Sequence, residues 1–239
     1  MAMFSNSEYP VRDDLAEIQE AQITALGAPG TWGTGAQRLA IAAEARQAGY
    51  DAGVLEAPED GGHAPEIKLP DVARKVVRRL ATDPKDVDQA SYKEALAGGL
   101  SDAEYVEIVG VVARIVDFDV FARGMGVALA PLPNPEPGEP SRERPPEAVQ
   151  ELAWVPTIPN PPEGGAIADE LYEGGPKPYI VRGMSLVPDE LRKHVALEHI
   201  QYLPMNKIGI ADYKHHEGLT RSQAEIVAAR VSALNECFF

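Results

Sequence analysis

Proline is concentrated in one stretch of this chain, and that stretch divides the sequence into two parts. Eleven of the 21 prolines lie between Pro131 and Pro162, most of them in the run PLPNPEPGEPSRERPP. Proline lacks the backbone donor and fixes φ, so neither a helix nor a sheet ladder can continue through this stretch. We therefore predict an extended linker over 131–165, free or laid over the surface, between a domain at 1–130 and a domain at 166–239.

On both sides of the linker, apolar residues recur at the spacing of an amphipathic helix. Ser101 with Glu104, and Thr220 with Gln223, have the spacing of capping boxes that begin helices. Gly27 and Gly49 are typical helix ends. The fold class is therefore predicted to be all-α, with helices over 13–27, 35–49, 69–84, 100–126, 187–203 and 219–239.

The same periodicity predicts which helix faces are buried. One face is expected in each of three helices: Leu69, Val72, Val76 and Leu80; Val106, Val109, Val112, Val116 and Val120; Ala224, Val227, Ala228, Val231 and Leu234.

The charge of the chain disfavours whole classes of partner. Its formal net charge is −15, with 37 acidic against 22 basic residues, and such a field repels nucleic acid and anionic lipid. No apolar run approaches the ~18 residues that span a bilayer, and the N-terminus lacks the pattern of a signal peptide. A single cysteine favours a reducing compartment, so we expect a cytoplasmic protein that binds neither nucleic acid nor a membrane.

The lone thiol, Cys237, and a carboxylate twelve residues before it, Glu225, are the candidate catalytic residues. In one straight helix they would lie about 18 Å apart, too far for direct proton transfer. A small apolar residue near a helix end is the equally weighted alternative for Cys237. No metal or cofactor site is expected: His194 and His199 are five apart, and His215 and His216 fall in a predicted loop.

The glycine-rich stretch GAPGTWGTG at 27–35 resembles a phosphate-binding loop in composition alone. It lacks a preceding strand and the lysine of that motif, so we interpret it as a connection between two helices.

The segment LTRSQAEIVAARVSALNECFF (219–239) resembles the approach to the active site of the AhpD-like, or carboxymuconolactone-decarboxylase-like, family, in its peroxidase-related branch. In that family a helical glutamate precedes a Cys-x-x-Cys by twelve residues, and a histidine follows. Glu225 and Cys237 fall on the glutamate and first-cysteine positions. The second cysteine would fall one position past Phe239, so the resemblance implies a chain truncated inside its motif.

The first half of the chain shows the same resemblance but lacks the catalytic residues of the motif. Residues 34–52 are similar to the motif helix, but Gln37 replaces the glutamate and Gly49 and Ala52 replace the cysteines. Residues 74–127 are similar to the helices that follow the motif. The resemblance thus implies one complete but degenerate repeat, followed by the start of a second repeat that keeps the redox residues.

The function that the resemblance implies is reduction of a hydroperoxide, with an external dithiol as the reductant and a homo-oligomer as the assembly. Some members of this branch carry selenocysteine in the motif, which suggests that position 240 is selenocysteine and that its codon was taken for a stop. A cysteine at that position and a true stop are the alternatives. We expect the 239 residues alone to show little turnover, because the motif partner and the histidine are missing.

Two other functions stay open. The chain could be a non-catalytic helical scaffold that oligomerises, or an acid–base enzyme like the decarboxylases that share the fold. A truncated second repeat would also leave its helices uncovered. We therefore predict that the C-terminal third is the least well packed part and that the chain self-associates.

Overall fold

Nine α-helices form the part of the chain that the computed structural model describes, residues 3–58, 65, 67–173, 175–215 and 217–237. Within these ranges there is no strand, only one antiparallel bridge between Val149 and Thr157. The all-α prediction is confirmed. The helices are α1 (Asp13–Thr24), α2 (Gly35–Asp51), α3 (Asp71–Thr82), α4 (Gln89–Ala97), α5 (Asp102–Gly124), α6 (Gly165–Leu171), α7 (Tyr179–Arg182), α8 (Pro188–Gln201) and α9 (Arg221–Leu234).

Helix α5 is the longest helix and lies at the centre of the described fold. It packs against α2 and α3 on one side and against α8 on another. It begins at the predicted capping box, in which the Ser101 hydroxyl accepts the Glu104 N–H and the Glu104 carboxylate accepts the Ser101 N–H. The largest apolar cluster joins α2, α3 and α5 and includes Leu39, Ile41, Val77, Ile108, Val111 and Ile115.

The buried faces of α3 and α5 agree with the predicted ones only in part: Leu69, Val106 and Val112 are buried as expected, whereas other predicted positions are not. In α5, Val111, Ile115 and Phe118 are fully buried, whereas Val120, predicted to be buried, is 44% exposed. In α3, Ala73 and Val77 are buried more deeply than their predicted neighbours. Both helices have valines on adjacent faces, so periodicity alone places the buried face only approximately. The positions of the neighbouring helices determine which of these valines are buried.

The proline-rich segment lies over the surface of the first half and is fixed there by hydrogen bonds. The Glu136 N–H donates to the Gly27 carbonyl at 2.8 Å, and the Arg142 N–H donates to the Thr31 carbonyl at 2.7 Å. Arg144 makes a bidentate ion pair with Asp102 at the start of α5. We call residues 131–165 the strap, because they bind the loop before α2 and the start of α5.

The last two long helices are packed very differently from each other. Helix α8 lies against α1 and α5 and buries Glu190, Leu191 and Leu197. Helix α9 has no buried residue. The prediction of incomplete packing in the C-terminal third is therefore right for α9 and wrong for α8. None of the described helices is both long and apolar enough to cross a membrane.

Candidate functional site

The predicted acid, Glu225, lies in the second turn of α9 and is held by two donors. The α9 capping box between Thr220 and Gln223 is present as predicted and fixes the start of the helix. The Tyr202 hydroxyl donates to Glu225 Oε1 at 2.7 Å, and the Arg221 Nε–H donates to the same oxygen at 2.5 Å. The arrangement ties the start of α9 to the segment that follows α8.

These contacts favour the ionised carboxylate. The hydrogen bond from Tyr202 is the largest effect and lowers the pKa of Glu225; burial opposes it, and the hydrogen bond and charge of Arg221 lower the pKa further. Burial and the hydrogen bond to Glu225 in turn raise the pKa of Tyr202 to about 12. At neutral pH Glu225 is therefore an ionised carboxylate and Tyr202 a neutral phenol. The carboxylate can accept a proton, but neither group holds a proton of low pKa.

Cys237, the predicted nucleophile, lies beyond the other end of α9 and is exposed to solvent. Its N–H donates to the Ser232 carbonyl at 2.9 Å, and the N–H of Glu236 donates to the Ala233 carbonyl. These two bonds form a Schellman motif. Asn235, a residue type that tolerates the left-handed conformation, has φ −86°, whereas Glu236 has φ 52°. The left-handed position therefore belongs to Glu236.

The structure does not bring the two predicted catalytic residues together. The fourteen residues of α9 form a continuous helix from Arg221 to Leu234. At 1.5 Å per residue, the nine positions from Glu225 to Leu234 correspond to about 13 Å, and Cys237 lies beyond them. A proton can pass between them only through water or another group.

A second cluster of charged residues, which the sequence reasoning missed, lies in the interior between α2, α5 and α8. Arg38 pairs with Glu107 at 2.8 Å and with Glu190 at 3.0 Å. Arg114 approaches the other oxygen of Glu190 at 2.6 Å, and Lys193 reaches Glu190 at 3.3 Å. We call these five residues the buried charge cluster.

Two features of the backbone allow this cluster to form. The N–H groups of Trp32 and Gly33 donate to the Glu107 carboxylate at 2.6 and 3.3 Å. Gly110 leaves room for the second acid, since a Cβ there would lie 2.3 Å from Glu190 Oε2. The glycine-rich stretch at 27–35 is thus a helix-to-helix loop, as interpreted, and its amides bind a carboxylate of the same chain.

The charges of the cluster compensate one another. Burial alone would raise the pKa of Glu190, but Arg114 and Arg38 outweigh it and lower this pKa to about 2. Burial lowers the pKa of Lys193, partly offset by Glu190. A sequence signal for the cluster did exist: Glu107 and Arg114 are seven residues apart, hence on one face of α5, in an otherwise apolar run.

The prediction that the histidines form no metal site can be compared with the structure only over the described residues. Among the described residues there is no group of three or more His, Cys, Asp or Glu side chains that could hold a metal ion. His199 lies 3.4 Å from Glu173, and His216 lies outside the described residues.

Comparison of the chain with protein-family models, with curated proteins and with solved structures found no match. The fold defines only a class of protein, an all-α protein whose core includes the buried charge cluster.

Proposed function

We propose that this protein is a thiol-dependent peroxide reductase of the AhpD-like type, with Cys237 as the reacting residue. The observation that carries the proposal is an exposed thiol beyond the end of the helix that holds an ionised carboxylate, Glu225. This order of residues is the one on which the family resemblance depends. Exposure gives a hydroperoxide direct access to the sulfur.

In the proposed reaction the Cys237 thiolate attacks the terminal oxygen of ROOH. An S–O bond forms, the O–O bond breaks and, after protonation, the alcohol ROH leaves, so that the sulfur is oxidised to a sulfenic acid. One thiol of an external dithiol then displaces water and forms a mixed disulfide with Cys237. The second thiol of that reductant releases Cys237 and closes its own disulfide.

Glu225 is proposed as the final proton acceptor in this scheme, through a group that bridges a distance of about 13 Å or more along α9. Because none of the described residues spans that distance by an identified hydrogen-bonded path, we expect oxidation of Cys237 once per chain, followed by slow turnover. The acid–base decarboxylase alternative gains nothing from the geometry, since the acid beside Glu225 is the Tyr202 phenol, whose pKa is raised to about 12.

The test is to treat the protein with tert-butyl hydroperoxide and follow Cys237 by mass spectrometry, with dimedone as a trap for sulfenic acid. We expect oxidation of Cys237 to the sulfenic acid, detected as its dimedone thioether, to be faster in the folded chain than in the same chain unfolded in urea. Cys237→Ser is the control and should form no such thioether. Equal rates in the folded and unfolded chains would show that the fold does not activate the thiol, and the proposal would fail.

A second candidate function, homo-oligomerisation, is favoured by the way α9 is docked. Arg221 and Glu225 are directed to the body of the protein, whereas four large apolar residues are exposed: Ile226, Val227, Val231 and Leu234. The positions 224, 227, 231 and 234 follow the alternating spacing of three and four residues found where like helices pair. We therefore propose that a second copy of α9 covers this stripe, in a weak dimer because the helix is short.

Sedimentation measurements at several concentrations test this candidate. Val231→Glu places a charge in the stripe and should abolish the association. Ala229→Glu adds the same charge at an exposed position outside the stripe and should leave the dimer intact. A monomer at all concentrations, or a dimer that survives Val231→Glu, would exclude pairing through α9.

A further inference from the structure

A cleft with a volume of about 270 Å³ lies between α3 and α4, beside the start of α5. Neither proposed function uses it. Its volume is slightly below the range of most small-molecule sites, so the cleft fits a ligand with few heavy atoms. The cleft has an apolar wall, formed by Val72, Val76, Leu80, Val87 and Ala95.

Arg79 of α3 lines this cleft and has a guanidinium group that is available to a ligand. Within the described chain, its side chain forms no ion pair and no hydrogen bond. None of its nitrogens is enclosed by the surrounding residues, so the group is open to water. A guanidinium carries five N–H donors in a fixed fork, and this geometry matches a carboxylate.

The other charged residues that line the cleft already have partners. Lys75 of α3 and Glu94 of α4 pair with each other at 2.5 Å, and Asp71 lies 3.8 Å from Arg74. The lining therefore presents one uncompensated positive charge, that of Arg79, beside an apolar wall. A ligand with a single negative charge and an apolar body complements both features.

The hydroxyl of Tyr105 is a second open polar group of the cleft. Tyr105 is only 7% exposed and its ring packs edge-to-face on Tyr92, but its hydroxyl is not enclosed and has no hydrogen-bond partner in the described chain. Burial raises the pKa of Tyr105, and the charge of Arg79 opposes this effect. The phenol is neutral at neutral pH and can donate a hydrogen bond to an anion.

The chemistry of these groups selects the ligand. Arg79 repels an ammonium group, and a neutral alcohol leaves its charge uncompensated. A phosphate ester has more negative charge than Arg79 balances, and the nearby Asp71 and Asp88 would repel the excess. We propose that this cleft binds a small monocarboxylate, whose carboxylate pairs with Arg79 and whose apolar tail contacts Val76 and Leu80.

Four probes separate the charged head of the ligand from its tail. Hexanoate has both, acetate has the carboxylate without the tail, and hexan-1-ol and hexylammonium keep the tail with another head. In calorimetry, hexanoate is expected to bind at least about tenfold more tightly than each of the others. Equal binding of hexan-1-ol or hexylammonium would overturn the assignment of a carboxylate. Equal binding of acetate would overturn the contact with the apolar wall.

Two backbone amides report where hexanoate binds. Val76 and Gly98 line the cleft, the first on α3 and the second just after the end of α4. Hexanoate should move the signals of both amides in a ¹⁵N–¹H spectrum. If neither signal moves at any hexanoate concentration reached, the site itself is overturned.

A pair of variants tests the role of Arg79. Arg79→Gln removes the charge and should weaken hexanoate binding about tenfold or more, the effect of losing a hydrogen bond between charged groups. Lys93→Gln removes one positive charge from an exposed position of α4 outside the cleft and should leave the affinity unchanged. Neither change removes an ion pair identified in the described chain, and circular dichroism checks that both variants fold. An unchanged affinity in Arg79→Gln, or an equal loss in Lys93→Gln, would contradict the proposal.

Discussion

Glu190 is a carboxylate of α8 that is enclosed by cations from the first half of the chain. Arg38 of α2 and Arg114 of α5 both contact it, and all three side chains are at most 2% exposed. Buried charges are costly to desolvate, so such a cluster adds little net stability while complete. It is costly to break, because removing one member leaves the others buried without compensation.

We therefore expect Glu190→Gln to destabilise the protein by about 3–5 kcal/mol in urea or guanidinium unfolding. The neighbouring Asp189→Asn is the matched control. Asp189 pairs with Arg192 at the surface, where both side chains are about half exposed, and its loss should cost less than about 1 kcal/mol. A cost for Glu190→Gln as small as that of Asp189→Asn would show that the cluster does not hold α8 in place.

The same residue predicts how stability depends on pH. The pKa of Glu190 is lowered from 4.5 to about 2 in the folded chain, so folding favours its ionised form. The resulting stabilisation is present above pH 4.5 and is lost as the pH falls from 4.5 through 2. Denaturation at a series of pH values should show a steeper loss for the native sequence than for Glu190→Gln across this interval. Parallel curves would mean that Glu190 does not titrate in this way.

Among the elements, α9 shows most clearly which features of helices can be predicted from sequence. Its start follows from Thr220 and Gln223, and the start of α5 from Ser101 and Glu104, because a capping box needs only residues of the same turn. Helix α4 was missed, because its nine residues, QASYKEALA, have a short and weak apolar pattern. The buried faces were predicted only in part, and the predicted face of α9 is not buried at all, since packing partners distant in sequence determine them.

The end of α9 was not predicted, because the helix was expected to run to residue 239 but ends at Leu234. Glu236 takes the left-handed conformation that glycine adopts without a Cβ penalty, while Asn235 stays in an ordinary one. Glu236→Gly should therefore stabilise the last turn of α9 by about 1 kcal/mol, seen as slower amide exchange there. Asn235→Gly should destabilise the last turn instead, since Asn235 is not left-handed and glycine loses more chain entropy on folding. Faster exchange in Glu236→Gly would refute the Schellman end.

At the scale of the whole molecule, the predicted division into domains at 1–130 and 166–239 remains a prediction, but many contacts cross it. The buried charge cluster joins α8 to α2 and α5, and the strap binds the loop before α2. The Gln22 side chain also donates to the Lys193 carbonyl at 2.8 Å. A sequence pattern could not reveal these contacts, because Arg38 and Glu190 are 152 positions apart.

Helix α9 contributes little to the core that α8 shares with the first half of the chain. Its removal tests whether α9 belongs to the cooperatively folding part of the protein. It has no buried residue, and its polar contacts are Tyr202 and Arg221 to Glu225, Lys85 to Glu236, and Arg221 to backbone carbonyls. Exposed ion pairs contribute about 1 kcal/mol or less. Deleting residues 219–239 should therefore leave the free energy of unfolding within about 1–2 kcal/mol of the full chain, measured at low concentration to avoid dimers.

A core substitution in α8 gives the comparison. Leu191 is completely buried, and Leu191→Ala should cost about 2–5 kcal/mol. If instead the deletion of α9 costs as much as Leu191→Ala, then α9 belongs to the cooperative core and its apolar stripe is not free to pair. A small cost would show that the rest of the fold does not require α9. The proposed redox residues and the proposed pairing stripe could then be substituted without loss of the core.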